Sequence, residues 1–165
     1  MLRRIQRLFE GRPVEIRYRR NLQDTAGNPA HAATSIPGRV IVLDPALKKD
    51  APEHRRILLH EYFHFVWVRL GNPVRWAWEA CLRKEWQSKS RGEAGWSAEW
   101  RKQALSANDV AARSRRWREY CCESFCDTAA WITTQVDSEN TLRAAERRAR
   151  AAWFRKTLTG PPFPI

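Results

Sequence analysis

The chain has 165 residues, of which 43% are hydrophobic and nine are tryptophan, enough apolar side chain for the core of a single domain spanning 1–165. No run approaches the roughly 18 apolar residues of a membrane span, and the basic start, Met1 to Glu10, lacks a secretory h-region and cleavage site, so a cytoplasmic protein is expected. The formal charge of +12 suits nucleic acid or an acidic partner, but its arginines are spread along the chain without a recognition motif, which favours a solvated basic surface.

After a short N-terminal helix, Pro13 to Arg19 alternates apolar and polar residues, with Val14, Ile16 and Tyr18 on one face, and predicts a half-buried strand. Residues 21–38 carry Asn, Gly, Pro, Thr and Ser and predict a loop or irregular edge segment. Gly38 to Asp44 is more continuously apolar and predicts a more central strand. Asp50-Ala51-Pro52 starts a helix that runs to about Leu70 and stops at Gly71-Asn72-Pro73. Helices are then expected over 74–87, about 96–105, about 108–134 and, strongly basic, about 138–158, with residues 88–95 the most flexible stretch. The expected class is α+β: a small N-terminal sheet supports one helix, a mostly helical half follows, and the core spans 13–135.

The helix from Ile57 to Leu70 is apolar almost all round, and such a helix belongs in a core. Within it lie His60, Glu61 and His64. At about 100° per residue the two histidines fall within roughly 40° of each other, one turn apart, with Glu61 on the adjoining edge. An unpaired buried carboxylate costs on the order of several kcal/mol, and a divalent metal with its bound water offsets that cost. This is the HExxH spacing, in which two imidazoles chelate Zn²⁺ and the glutamate acts on the metal's water.

A catalytic zinc takes a third protein ligand. His31 lies in the expected loop and His54 lies off the ligand face. The segment Trp117 to Trp131 offers Glu123 as an oxygen ligand, and Asp127, one turn on, can accept the free N–H of a liganding histidine. Glu119, also one turn from Glu123, is a rival without an aspartate four residues later.

HExxH on one helix and ExxxD on a later one resemble the gluzincin metallopeptidases, the thermolysin-like group. The resemblance implies His60, His64 and Glu123 as zinc ligands, Glu61 as general base and Asp127 as the partner of a liganding histidine. The strand leading into the motif helix, in so short a chain, is similar to the minigluzincins and the ImmA/IrrE-like peptidases. It covers roughly residues 36–135 and implies a zincin-like fold and a peptide or protein substrate, possible targets including a repressor.

Tyr120, one turn before Glu123, is a candidate for steadying the developing oxyanion, as is His31. Cys122 and Cys126, one turn apart, can be considered as metal ligands together with Cys81; without CxxC pairs they read as reduced, buried small side chains, as does Cys121. Trp67, Trp76, Trp78, Trp117 and Trp131 are expected in the core, and Trp96 and Trp100 at a cleft or interface. Three functions stay open: an active zinc endopeptidase, a basic binding module with a structural or vestigial zinc, and a latent enzyme whose cleft is covered by a terminus or by the 88–95 loop.

Overall fold

The computed structural model describes residues 1–23, 27, 29–158 and 160–165, and its architecture is α+β. Helix α1 (Leu2–Gln6) leads into strand β1 (Phe9–Glu10), followed by β2 (Glu15–Tyr18), β3 (Ala32–Ser35) and β4 (Val40–Leu43). A 3-10 turn, Pro45–Lys49, connects to α2 (Ala51–Arg69), α3 (Asn72–Gln87), α4 (Trp96–Gln103), α5 (Ala107–Ala111), α6 (Arg115–Thr134) and α7 (Ala144–Thr157), and β5 (Phe163–Pro164) closes the chain. Among the described residues, no helix is long and apolar enough to cross a membrane.

The main sheet has the order β2-β4-β3. Strand β2 runs parallel to β4, with Ile16 opposite Ile41, and β3 runs antiparallel, with Thr34 opposite Ile41. Central β4 is the most apolar strand, and its Ile41 and Leu43 are fully buried. The edge strand β3 falls within the expected 21–38 loop and corrects it in part. Its sequence, Ala-Ala-Thr-Ser, has little intrinsic strand preference, so pairing with β4 decides its conformation. Residues 24–26 and 28 of that expected loop lie outside the described residues.

Helix α2 begins as its sequence signals. Asp50 caps it by accepting from the Glu53 amide at 3.0 Å, and Pro52 sits in the first turn. Every residue from Arg56 to Phe63 is buried, so α2 lies inside the molecule, between the sheet and α6. Phe9 stacks on Tyr62 at 4.6 Å, Phe63 meets Phe125 at 6.2 Å and Trp67 meets Phe125 at 5.1 Å.

Several expectations change in the helical half. The helix expected over 108–134 is two helices, α5 and α6, divided at Arg113, which takes the left-handed region at φ 50°. Ser114 then caps α6 by accepting from the Trp117 amide at 3.3 Å. Residues 88–95 are held in place, since Ser90, Glu93 and Ala94 are buried. The basic C-terminal helix starts at Ala144 rather than near 138, and its Arg150 and Phe154 are buried. Phe154 packs against Phe125 at 5.1 Å and Trp78 at 5.4 Å, so the core continues beyond residue 135. At the other end Ile5 and Phe9 join it. Among the tryptophans, Trp67, Trp78 and Trp117 are buried, whereas Trp76 is exposed.

Candidate metal centre

The HExxH residues meet α6 at the middle of both helices. His60 and His64 turn their Nε2 atoms toward each other at 3.2 Å. Glu123 Oε2 lies 3.2 Å from His60 Nε2 and 3.9 Å from His64 Nε2. Zinc bonds of about 2.0–2.2 Å in a tetrahedron place neighbouring N and O ligand atoms about 3.3 Å apart. Two of the three separations fall close to that value and the third exceeds it by about half an ångström, so a zinc-sized cation fits this donor set.

The ligand atoms are held from behind. His60 Nδ1 is 2.7 Å from Asp127 Oδ1, and Asp127 Oδ2 accepts from the Ala98 amide at 2.9 Å. That amide belongs to the first turn of α4, where backbone N–H groups need acceptors and favour negative charge. Gly95 is required just before it, because a Cβ there would come within 2.6 Å of the Asp127 carboxyl carbon. Arg56 Nη1 adds positive charge 3.9 Å from Asp127 Oδ1 while pairing with Glu53 and Glu139. A carboxylate on Nδ1 fixes the His60 ring so that Nε2 presents its lone pair to the centre.

Glu61 lies one residue along and is buried. Its Oε2 accepts from the Thr34 hydroxyl at 2.6 Å, which ties the expected general base to edge strand β3. Burial alone would lower the proton affinity of His60 and His64. Asp127 and then Glu123 nevertheless hold His60 well above an ordinary imidazole. The charges of Cys122 and Glu123 raise His64 to about 9. Burial works against ionisation of Glu123, but the two histidines hold it at about 2. The cluster is therefore acceptor-rich and favours positive charge at its centre, which protons and metal ions compete to supply.

Glu119 is exposed and pairs with Arg115 at 2.7 Å, so it is no rival to Glu123. Tyr120 is corrected: its hydroxyl donates to Glu93 Oε1 at 2.6 Å, in a buried network on another face of α6. A tyrosine so engaged is not free to steady an oxyanion. His54 Nε2 is 3.1 Å from the Tyr18 hydroxyl, and His31 is exposed at the start of β3. All four cysteines are free thiols, and Cys122 Sγ lies 3.5 Å from His64 Nδ1.

Sequence reasoning missed Thr34, Gly95, Ala98 and Arg101. Arg101 Nη2 lies 3.4 Å from Glu123 Oε1, and its guanidinium covers the Trp100 ring at 4.3 Å. None carries a spacing signal, since their roles depend on where β3 and α4 are placed in space. Compared with protein-family models, curated proteins and solved structures, the chain matches none.

Proposed function

We propose that this chain is a zinc-dependent endopeptidase of gluzincin type with a zincin-like fold. The observation that carries the reading is the convergence of His60 Nε2, His64 Nε2 and Glu123 Oε2 at zinc-ligand separations, with Glu61 beside them. Two imidazoles and one carboxylate are the ligand set of a hydrolytic zinc that keeps one position for water. Zinc bound there would bring the pKa of that water toward about 7 and polarise a carbonyl oxygen.

The chain's own residues supply the rest. Glu61 takes the proton from the attacking water and delivers it to the leaving amine. Thr34 orients Glu61 by donating to Oε2, which leaves Oε1 for the water. Asp127 keeps His60 in the liganding tautomer. The substrate is a peptide laid in extended form along β3, which has β4 on one side only among the described residues. Because β3 also carries Thr34, strand addition would set the peptide beside the general base.

The test compares wild type with Glu61→Gln on casein and on a peptide library, with zinc measured in both. Wild type should cleave, and Glu61→Gln should keep about one zinc per chain and lose hydrolysis. Equal cleavage by both proteins would rule out Glu61 as the base, and zinc-loaded wild type that cleaves nothing would rule out the peptidase.

A further inference from the structure

The His64 ring has a second edge. Its Nε2 turns toward His60 and Glu123, while Nδ1 faces the opposite way, 3.5 Å from Cys122 Sγ. Cys126 stands one turn further along α6. A His64 nitrogen and the two sulfurs all lie within 4.8 Å of one another. Cys126 is fully buried, and Cys122 is half-buried.

We infer that His64 Nδ1, Cys122 Sγ and Cys126 Sγ form a second metal site, selective for a soft, thiophilic cation. Metal–sulfur bonds of about 2.3 Å and metal–nitrogen bonds of about 2.0–2.1 Å place N and S ligand atoms about 3.6 Å apart, close to the His64–Cys122 separation. Two thiolates and one imidazole suit soft ions such as copper(I) or cadmium(II) rather than magnesium or calcium. The arrangement also departs from four-thiolate sites built of CxxC pairs. Its sulfurs come from one helical face, its nitrogen from α2, and the thiol of Cys81 on α3 takes no part.

The two sites share the His64 ring but use opposite nitrogens. With the other centre empty, an ion on Nδ1 would leave a neutral imidazole with its proton on Nε2, facing Glu123; only with both positions filled would the ring give up both protons and bridge them as an imidazolate. Occupancy of the thiol site is thereby coupled to that of the other, through one ring and through the adjacent residues Cys122 and Glu123. The thiol site needs neither His60 nor Glu123, so it stands or falls separately from the peptidase reading.

Cadmium(II) titrated into metal-free protein reads the site through the ultraviolet thiolate-to-cadmium charge-transfer band, which nitrogen and oxygen ligands do not give. Wild type, Cys81→Ser and Glu123→Ala should each develop the band, saturating at one thiolate-bound cadmium per chain. Cys122→Ser and Cys126→Ser should lose at least half of it, and the double variant nearly all. Cys126→Ala serves as the second probe where serine disturbs the buried position, with far-ultraviolet circular dichroism reporting folding. No band in wild type, or an undiminished band in folded Cys122→Ser and Cys126→Ala, overturns the site. Zinc content compared between the Cys122→Ser/Cys126→Ser double variant and the same variant carrying Glu123→Ala judges the other centre independently.

Discussion

Helix α6 carries two buried polar clusters on neighbouring faces, and they solve the same electrostatic problem differently. On the face of Tyr120, Ser124 and Thr128, the acidic groups are neutralised by the protein's own cation. Arg150 forks onto Glu85 at 2.6 and 2.9 Å and onto Glu93 at 2.7 and 2.9 Å, with Ser124 and Thr128 sharing its one remaining N–H. Lys102 Nζ adds a further contact to Glu93 at 3.1 Å. On the face of Glu123 and Asp127, the groups that converge are lone pairs of two imidazoles and a carboxylate. A closed ion network fixes α3, α4, α6 and α7 together, whereas a convergent set of acceptors is a place for a metal. Burial is common to both, so burial of charge by itself does not mark a site. The distinguishing feature is whether donors or lone pairs point inward.

Substitutions can break that contrast, and the largest effect belongs to the histidine cluster. Glu123→Ala should abolish zinc retention while leaving the fold intact, as read by metal analysis after gel filtration and by circular dichroism. Arg150→Met should do the reverse. It leaves Glu85 buried and unpaired and Glu93 with Lys102 as its remaining cation, and should destabilise the protein by about 3–5 kcal/mol in denaturant unfolding, yet the molecules still folded should bind zinc as wild type does. Loss of zinc from folded Arg150→Met would show that the two clusters are one unit.

Asp127→Asn comes next, with zinc affinity falling about 10–100-fold in chelator competition. An unchanged affinity would show that the carboxylate does not orient His60.

The clusters should also differ in pH response. Burial raises the Glu93 carboxyl, but Arg150 and Lys102 outweigh it and hold it at about 2, below its ordinary 4.5. Its stabilising contribution is therefore fully present above about 4.5 and is lost as pH falls through about 2. His64 has the opposite sign. With its pKa raised from 6.5 to about 9, its contribution in the metal-free protein is present below 6.5 and lost as pH rises through about 9. Thermal unfolding should show both arms, and added zinc should flatten the alkaline one, since zinc takes the unprotonated ring. An alkaline arm unaffected by zinc would mean that the metal does not use His64. The smallest effect is expected at Glu119→Ala, which removes an exposed pair and should change stability by no more than about 0.5 kcal/mol with zinc unaltered.

What could be read from the chain itself follows from the range of each signal. The HExxH and ExxxD spacings are local, within one turn of one helix, and the residues they name meet in space. The caps at Asp50 and the stop at Gly71 are equally local, and α2 begins and ends close to where they point. Strand β3 was only half legible because Ala32 to Ser35 becomes a strand through β4. The break at Arg113 was missed because an arginine gives no sign of the left-handed conformation; Ser114, three residues before Trp117, was the available clue. Residues 88–95 have a loop's composition, but Glu93 is fixed by Arg150, 57 positions away. Tyr120 was misassigned for a related reason. One turn before Glu123 is close along the helix, but its hydroxyl reaches Glu93.

The proposed zinc site joins three atoms, His60 Nε2, His64 Nε2 and Glu123 Oε2. It is tested most directly by the metal content of purified wild type beside Glu123→Ala and Glu119→Ala, all expressed with zinc in the medium. About one zinc per chain in wild type and Glu119→Ala, and none in Glu123→Ala, is the predicted result. Zinc retained in full by Glu123→Ala, or absent from well-folded wild type, would contradict it.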